Sequence, residues 1–153
     1  MTKKIFLIGV FIIAGFGFSY GSQNNFGIGV IIGSPTGISA KYYIKENIGL
    51  DCGFGWSLKK NVFRLHSDLL FHNYTLLEKS FDFPFVLYYG GGIKLLFADK
   101  DEFGVRIPVG LLYNFEKPTI DIFLEIVPVV KLLPDTGFDL DAALGARYYF
   151  GLK

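Results

Sequence analysis

The residues that could do chemistry in this chain are few, and the densest group is His66-Ser67-Asp68. Base, nucleophile and orienting carboxylate are the parts of a hydrolytic triad. The run lies, however, in an alternating apolar stretch, Phe63-Arg64-Leu65-His66, which predicts a strand. Neighbours on a strand point to opposite faces, so His66 and Asp68 would share one face and Ser67 the other. No triad can form. What survives is a His66–Asp68 pair, in which a carboxylate could orient an imidazole base; structural pairing is the favoured reading. His72, near the end of the same stretch, reads as an interfacial residue and not as a ligand. Two histidines, with the single Cys52 on the opposite face, give no zinc-type spacing. Gly90-Gly91-Gly92 precedes no helix, so it is no phosphate loop; a bend or close packing within a strand suits it better. No catalytic residue, cofactor or metal is expected, and the chain does not read as an enzyme.

The elements that must position these residues are strands. Period-2 alternation bounded by turn formers predicts eight, at Phe26–Gly33, Gly37–Ile44, Asn47–Leu58, Asn61–Asn73, Pro84–Ala98, Phe103–Phe115, Ile120–Leu132 and Phe138–Phe150. The connections are short and hold Gly, Pro, Asn, Asp or charges. Only Tyr74–Phe83 exceeds a hairpin loop. Pro108 and Pro128 fall inside strands, where each removes a ladder hydrogen bond, and are read as bulges.

A chain of 153 residues has room for one domain, and a formal net charge of +1 gives no basic footprint for nucleic acid. Lys3 and Lys4, the apolar run Ile5–Phe18 and the small residues around Gly21 match a signal peptide, expected at residues 1–21, with the domain at 22–153. An uncleaved anchor is the competing reading, weakened by Gly15 and Gly17.

Sorting by face gives one set of bulky apolar residues, such as Ile28, Val30, Phe54, Trp56, Val109, Leu124 and Tyr148, with no Lys, Arg, Asp or Glu among them. The other set is mostly glycine, small residues and charge. An eight-stranded barrel has an interior just wide enough for side chains. Some thirty bulky residues do not fit there, whereas glycines interleaved with charges do. Polar-in and bulky-out is the arrangement of a transmembrane barrel, and closure removes edges that lipid would not tolerate. Tyr42, Phe71, Tyr113 and Tyr148 fall at one rim and Trp56, Phe97, Phe103 and Phe138 at the other, as two interfacial belts would.

The inward set carries Lys41, Arg64, Lys94, Arg106, Lys131 and Arg147 with Asp51, Asp68, Asp121, Glu125, Asp139 and Asp141, and His66 among them. Buried charges persist when partnered, so these residues are expected to form an ion-paired plug. Tight turns would set Lys41 opposite Asp51. A turn centred on Thr136 would set Glu125 opposite Arg147 and Lys131 opposite Asp141.

Gly33-Ser34-Pro35-Thr36-Gly37, Arg106-Ile107-Pro108-Val109-Gly110, Glu125-Ile126-Val127-Pro128 and the terminal Arg147-Tyr148-Tyr149-Phe150 resemble a family of uncharacterised small bacterial outer-membrane β-barrels, with the eight-stranded OmpA-type architecture. The resemblance spans essentially the whole chain after the signal peptide and carries over no catalytic residue. It implies the outer membrane, with lipid and the barrel-assembly machinery as partners. Leu144, Ala146, Tyr148 and Phe150 are similar to the terminal signal that machinery reads, although Gly151-Leu152-Lys153 follow the last aromatic. The expected function is a structural or surface-interaction role with a closed lumen. A narrow or oligomeric channel is the alternative, an outer-membrane lipid hydrolase or acyltransferase comes third, and a soluble ligand-carrying barrel last.

Overall fold

The computed structural model describes residues 25–33, 36–57, 59–81, 84–115 and 119–150. The expected signal peptide lies outside them, as do Ser34, Pro35 and the three residues after Phe150. The described chain is all-β apart from one short helix. Its nine strands are β1 (Phe26–Gly33), β2 (Gly37–Lys45), β3 (Ile48–Ser57), β4 (Val62–Asn73), β5 (Val86–Phe97), β6 (Glu102–Arg106), β7 (Val109–Phe115), β8 (Ile120–Leu133) and β9 (Gly137–Phe150). All belong to one sheet, and every pairing is antiparallel.

Sequence neighbours pair from β1 to β5, β8 pairs with β9, and β9 returns to β1. Between β5 and β8 the chain is divided. Both β6 and β7 pair with β5 on one side and β8 on the other. The count is therefore nine where eight were expected, and the break falls at Ile107-Pro108. The registers Gly92↔Arg106 and Tyr89↔Val109 continue one another on the β5 side, as Arg106↔Val129 and Val109↔Ile126 do on the β8 side. No residue is inserted there, so the expected bulge is absent, and β6 and β7 are one line of chain interrupted chemically. Gly90 N–H donates to the Pro108 carbonyl at 3.1 Å, and Ile107 N–H to the Pro128 carbonyl at 3.0 Å. Neither proline has an N–H with which to return the bond.

The turn between β8 and β9 also differs from expectation. Lys131 stands opposite Gly137, Glu125 opposite Ala143, and Arg147 opposite Asp121. The register is centred on Pro134, two residues before Thr136. A shift by an even number of residues keeps every side chain on its face. Alternation is blind to such a slip.

The Tyr74–Phe83 connection contains α1 (Leu76–Phe81). Asn73 starts it, its side-chain oxygen accepting from the N–H of Thr75 and of Leu76 at 3.2 and 3.0 Å. The helix sits at the end of the sheet that also holds Phe26 and Phe150, and the β1–β2, β3–β4, β5–β6 and β8–β9 turns lie at the other end. No described helix is long and apolar enough to cross a membrane, which says nothing of strands.

Burial is inverted relative to an ordinary globule. Lys41, Asp51, His66, Asp68, Arg106, Asp121, Glu125 and Arg147 are each at most 2% exposed, whereas Ile32, Leu124, Ile126, Leu140 and Phe138 are 53–68% exposed. The buried face also holds an apolar cluster that includes Ile31, Leu70, Tyr88, Leu112 and Phe123. That face is less purely small and charged than the sequence suggested.

Candidate functional site

The buried face organises its charges around two arginines. Arg147, on β9, reaches Asp121 of β8 through Nε at 3.1 Å and Asp51 of β3 through an Nη at 2.9 Å. Its guanidinium lies 4.0 Å from the centre of the Phe123 ring, a cation–π contact. Tyr149 donates its hydroxyl to the second oxygen of Asp121 at 2.5 Å. Arg106, at the end of β6, sits 3.0 Å from Asp68 through Nε, an ion pair out of line for a hydrogen bond, and 3.3 Å from Glu125 through an Nη. Tyr88 completes Glu125 with a hydrogen bond of 2.9 Å. The two arginines thus tie β3, β4, β6, β8 and β9 together across the interior.

A third centre is Lys41. It stands opposite Asp51 in register, as expected, and its ammonium lies 2.6 Å from His72 Nε2. The ring proton of His72 is assigned by the other nitrogen, which is 3.3 Å from the Asn47 carbonyl, an acceptor only. Nδ1 therefore carries the hydrogen, and Nε2 accepts from Lys41. Tyr43 and Tyr88 place their rings 4.9 and 5.2 Å from the same ammonium. His72 is 5% exposed, which corrects its reading as an interfacial residue. Beside it, outside the strands, Tyr74 stacks on His72 and donates to the Glu46 carbonyl at 2.6 Å. Burial there holds the Tyr74 hydroxyl above the ordinary phenol pKa.

The remaining residues expected inside divide by depth. Lys94 pairs with Asp141 at 2.6 Å, both side chains nearly buried. Lys131 and Asp139 are 3.5 Å apart and well exposed at the turn end, and Arg64 is half-buried there. Three pairings expected from the sequence are replaced. Asp51 receives Arg147, Glu125 receives Arg106, and Lys131 meets Asp139 in place of Asp141. His66 Nε2 is 3.9 Å from Asp68, too long for the orienter–base hydrogen bond that catalysis would use. Ser67 lies on the other face, where the Cys52 thiol reaches it at 3.5 Å.

Sequence reasoning missed Tyr88, Phe123, Tyr149 and His72 as members of this network. The signal was present, since each has the parity of a charged neighbour: His72 follows His66 and Asp68, Phe123 lies between Asp121 and Glu125, and Tyr149 follows Arg147. Their aromatic bulk was what disguised them. Room for that bulk comes from glycines opposite. A Cβ at Gly110 would overlap the Tyr88 ring, and one at Gly145 the Phe123 ring.

Among the described residues, then, ion pairs cross the interior, and Ser67 stands on the face opposite His66 and Asp68. A family model matches residues 19–139, most of the chain, under the description "Protein of unknown function (DUF3996)". The chain belongs to this family. The matched stretch carries β1 to β8 and the start of β9, so it includes Arg106 and its partners, while Asp141 and Arg147 lie beyond it. No curated protein and no solved structure matches the chain.

Proposed function

We propose that this member of the family is an integral protein of the bacterial outer membrane. The sheet closes as a barrel equivalent to eight strands, its exposed face lies on lipid, and its ion-paired interior is shut. The carrying observation is the inversion of burial: large apolar side chains exposed along the strands, arginines and carboxylates at 0–2% exposure within. Soluble monomers rarely expose apolar patches beyond a few hundred Å². Lipid removes that difficulty, and partners along both sides of each strand supply the backbone pairing a bilayer requires, the Gly90 and Ile107 carbonyls opposite the prolines apart.

The aromatic residues support the same placement. Trp56 contacts Phe54 at one end, and at the other Phe71 contacts Tyr89 and Tyr113 contacts Phe85 and Phe115. These are the positions of two interfacial belts. Residues 1–21 direct export and are then removed, and the barrel-assembly machinery inserts the chain. Its role is structural or surface-interacting and not enzymatic.

The test is fractionation of the native host with gel mobility compared before and after boiling, followed by reconstitution in planar bilayers. An outer-membrane band with heat-dependent mobility and no steady unitary conductance is expected. A soluble periplasmic protein without a heat shift would overturn the membrane placement. A steady unitary conductance would overturn the shut interior and favour a narrow or oligomeric channel.

A further inference from the structure

The β3–β4 hairpin brings three potential metal ligands into one buried spot. Asp51 and Asp68 are directly opposite in register, and His66 stands two residues along, opposite Gly53. One ligand atom from each lies within 4.8 Å of the other two. A Cβ at residue 53 would overlap the His66 ring, so glycine makes the space that the imidazole occupies.

Two carboxylates at a buried site need counter-charge. Arg147 and Arg106 supply part of it, each through the Oδ1 oxygen of one aspartate. Asp68 Oδ2 is left without a hydrogen-bond partner, 3.9 Å from His66 Nε2. Independently of the acidic pair, His66 is 2% exposed, and neither ring nitrogen has a hydrogen-bond partner among the described residues. Buried polar side chains are seldom left so. Among charged side chains no more than 2% exposed, four carboxylates face three cations, which leaves the interior able to accept positive charge.

We propose that this hairpin binds one divalent first-row transition ion of the zinc type through His66, Asp51 and Asp68, with a fourth position open. Imidazole with carboxylate suits such an ion, whereas calcium takes 6–8 oxygen ligands. The ligand atoms draw together from their present spacing to meet the metal at about 2.0–2.2 Å. Arg106 and Arg147 then hold the outer carboxylate oxygens and orient them. This binding goes beyond the membrane reading and does not depend on it.

The test uses the full chain, untagged, stripped of metal and refolded in detergent, with zinc titrated by calorimetry and cobalt as a visible probe. One equivalent of zinc is expected, with cobalt absorption bands of a low-symmetry nitrogen–oxygen site. Cys52→Ser should bind as the wild type does, since the thiol lies on the other face. His66→Ala should weaken binding by more than the roughly 10–100-fold that loss of an outer partner costs; His66→Gln, which keeps the volume, serves if the alanine variant does not fold. A wild-type chain that takes up no zinc or cobalt overturns the proposal. So does binding that survives in the His66 variants or disappears in Cys52→Ser.

Discussion

Arg147 is the side chain on which most of the interior converges, through Asp51, Asp121 and the face of Phe123. Removing it leaves two buried carboxylates without their cation. Arg147→Ala should therefore cost about 3–5 kcal/mol, as breaking a buried pair does, measured by urea unfolding in detergent. Lys60→Ala, at an exposed turn, should stay within about 0.5 kcal/mol of wild type. Equal effects would show the network to be energetically idle. Gly110 makes a second case, because a side chain there meets Tyr88 and so disturbs the Tyr88–Glu125 bond as well. Gly110→Leu should destabilise by at least the roughly 1–3 kcal/mol of an overpacked core, whereas Gly91→Ala, whose Cβ would make an ordinary contact of 3.9 Å with the Arg106 carbonyl oxygen, should be tolerated. Which residues face inward was legible from parity. Which carboxylate each arginine takes was not, because a guanidinium reaches across several strands and register neighbours need not be its partners.

At the scale of elements, the interruption between β6 and β7 is the weak point of the ladder. Pro108, in the gap before β7, and Pro128, in β8, sit diagonally from one another, and each leaves a carbonyl, Gly90 and Ile107 respectively, without the returning donor. Hydrogen exchange should find the Gly90 and Ile107 amides less protected than those of the uninterrupted β3–β4 pair, where the register runs unbroken from Ile48 to Ser57. Pro108→Ala should slow exchange at Gly90. Equal protection in wild type would mean that the single bonds hold as well as paired ones. The sequence placed both prolines inside strands, which holds for Pro128 in β8, whereas Pro108 falls in the gap between β6 and β7. It could not distinguish a bulge from a gap, since that depends on whether the partners keep register on both sides, and they do.

For the whole molecule, the exposed apolar face sets the expectation. Val109, opposite Ile126 on that face, should lie near mid-depth in the proposed barrel. Val109→Arg should then cost roughly 2–4 kcal/mol in lipid, and Ile44→Lys, near the end of β2, only about 0–1. The comparison is made by reversible unfolding in bilayers. Equal costs at the two depths would argue against a hydrocarbon environment.

The sequence by itself determined the strands, their faces and the inverted distribution of charge. These follow from a two-residue period written locally, residue by residue. The exact register of β8 against β9, the division of β6 from β7, the partners of Arg106 and Arg147 and the convergence of Asp51, His66 and Asp68 were decided only by the tertiary structure. Each depends on distance across the interior between residues remote in sequence. Alternation encodes which side a residue faces and carries no information about what stands opposite it.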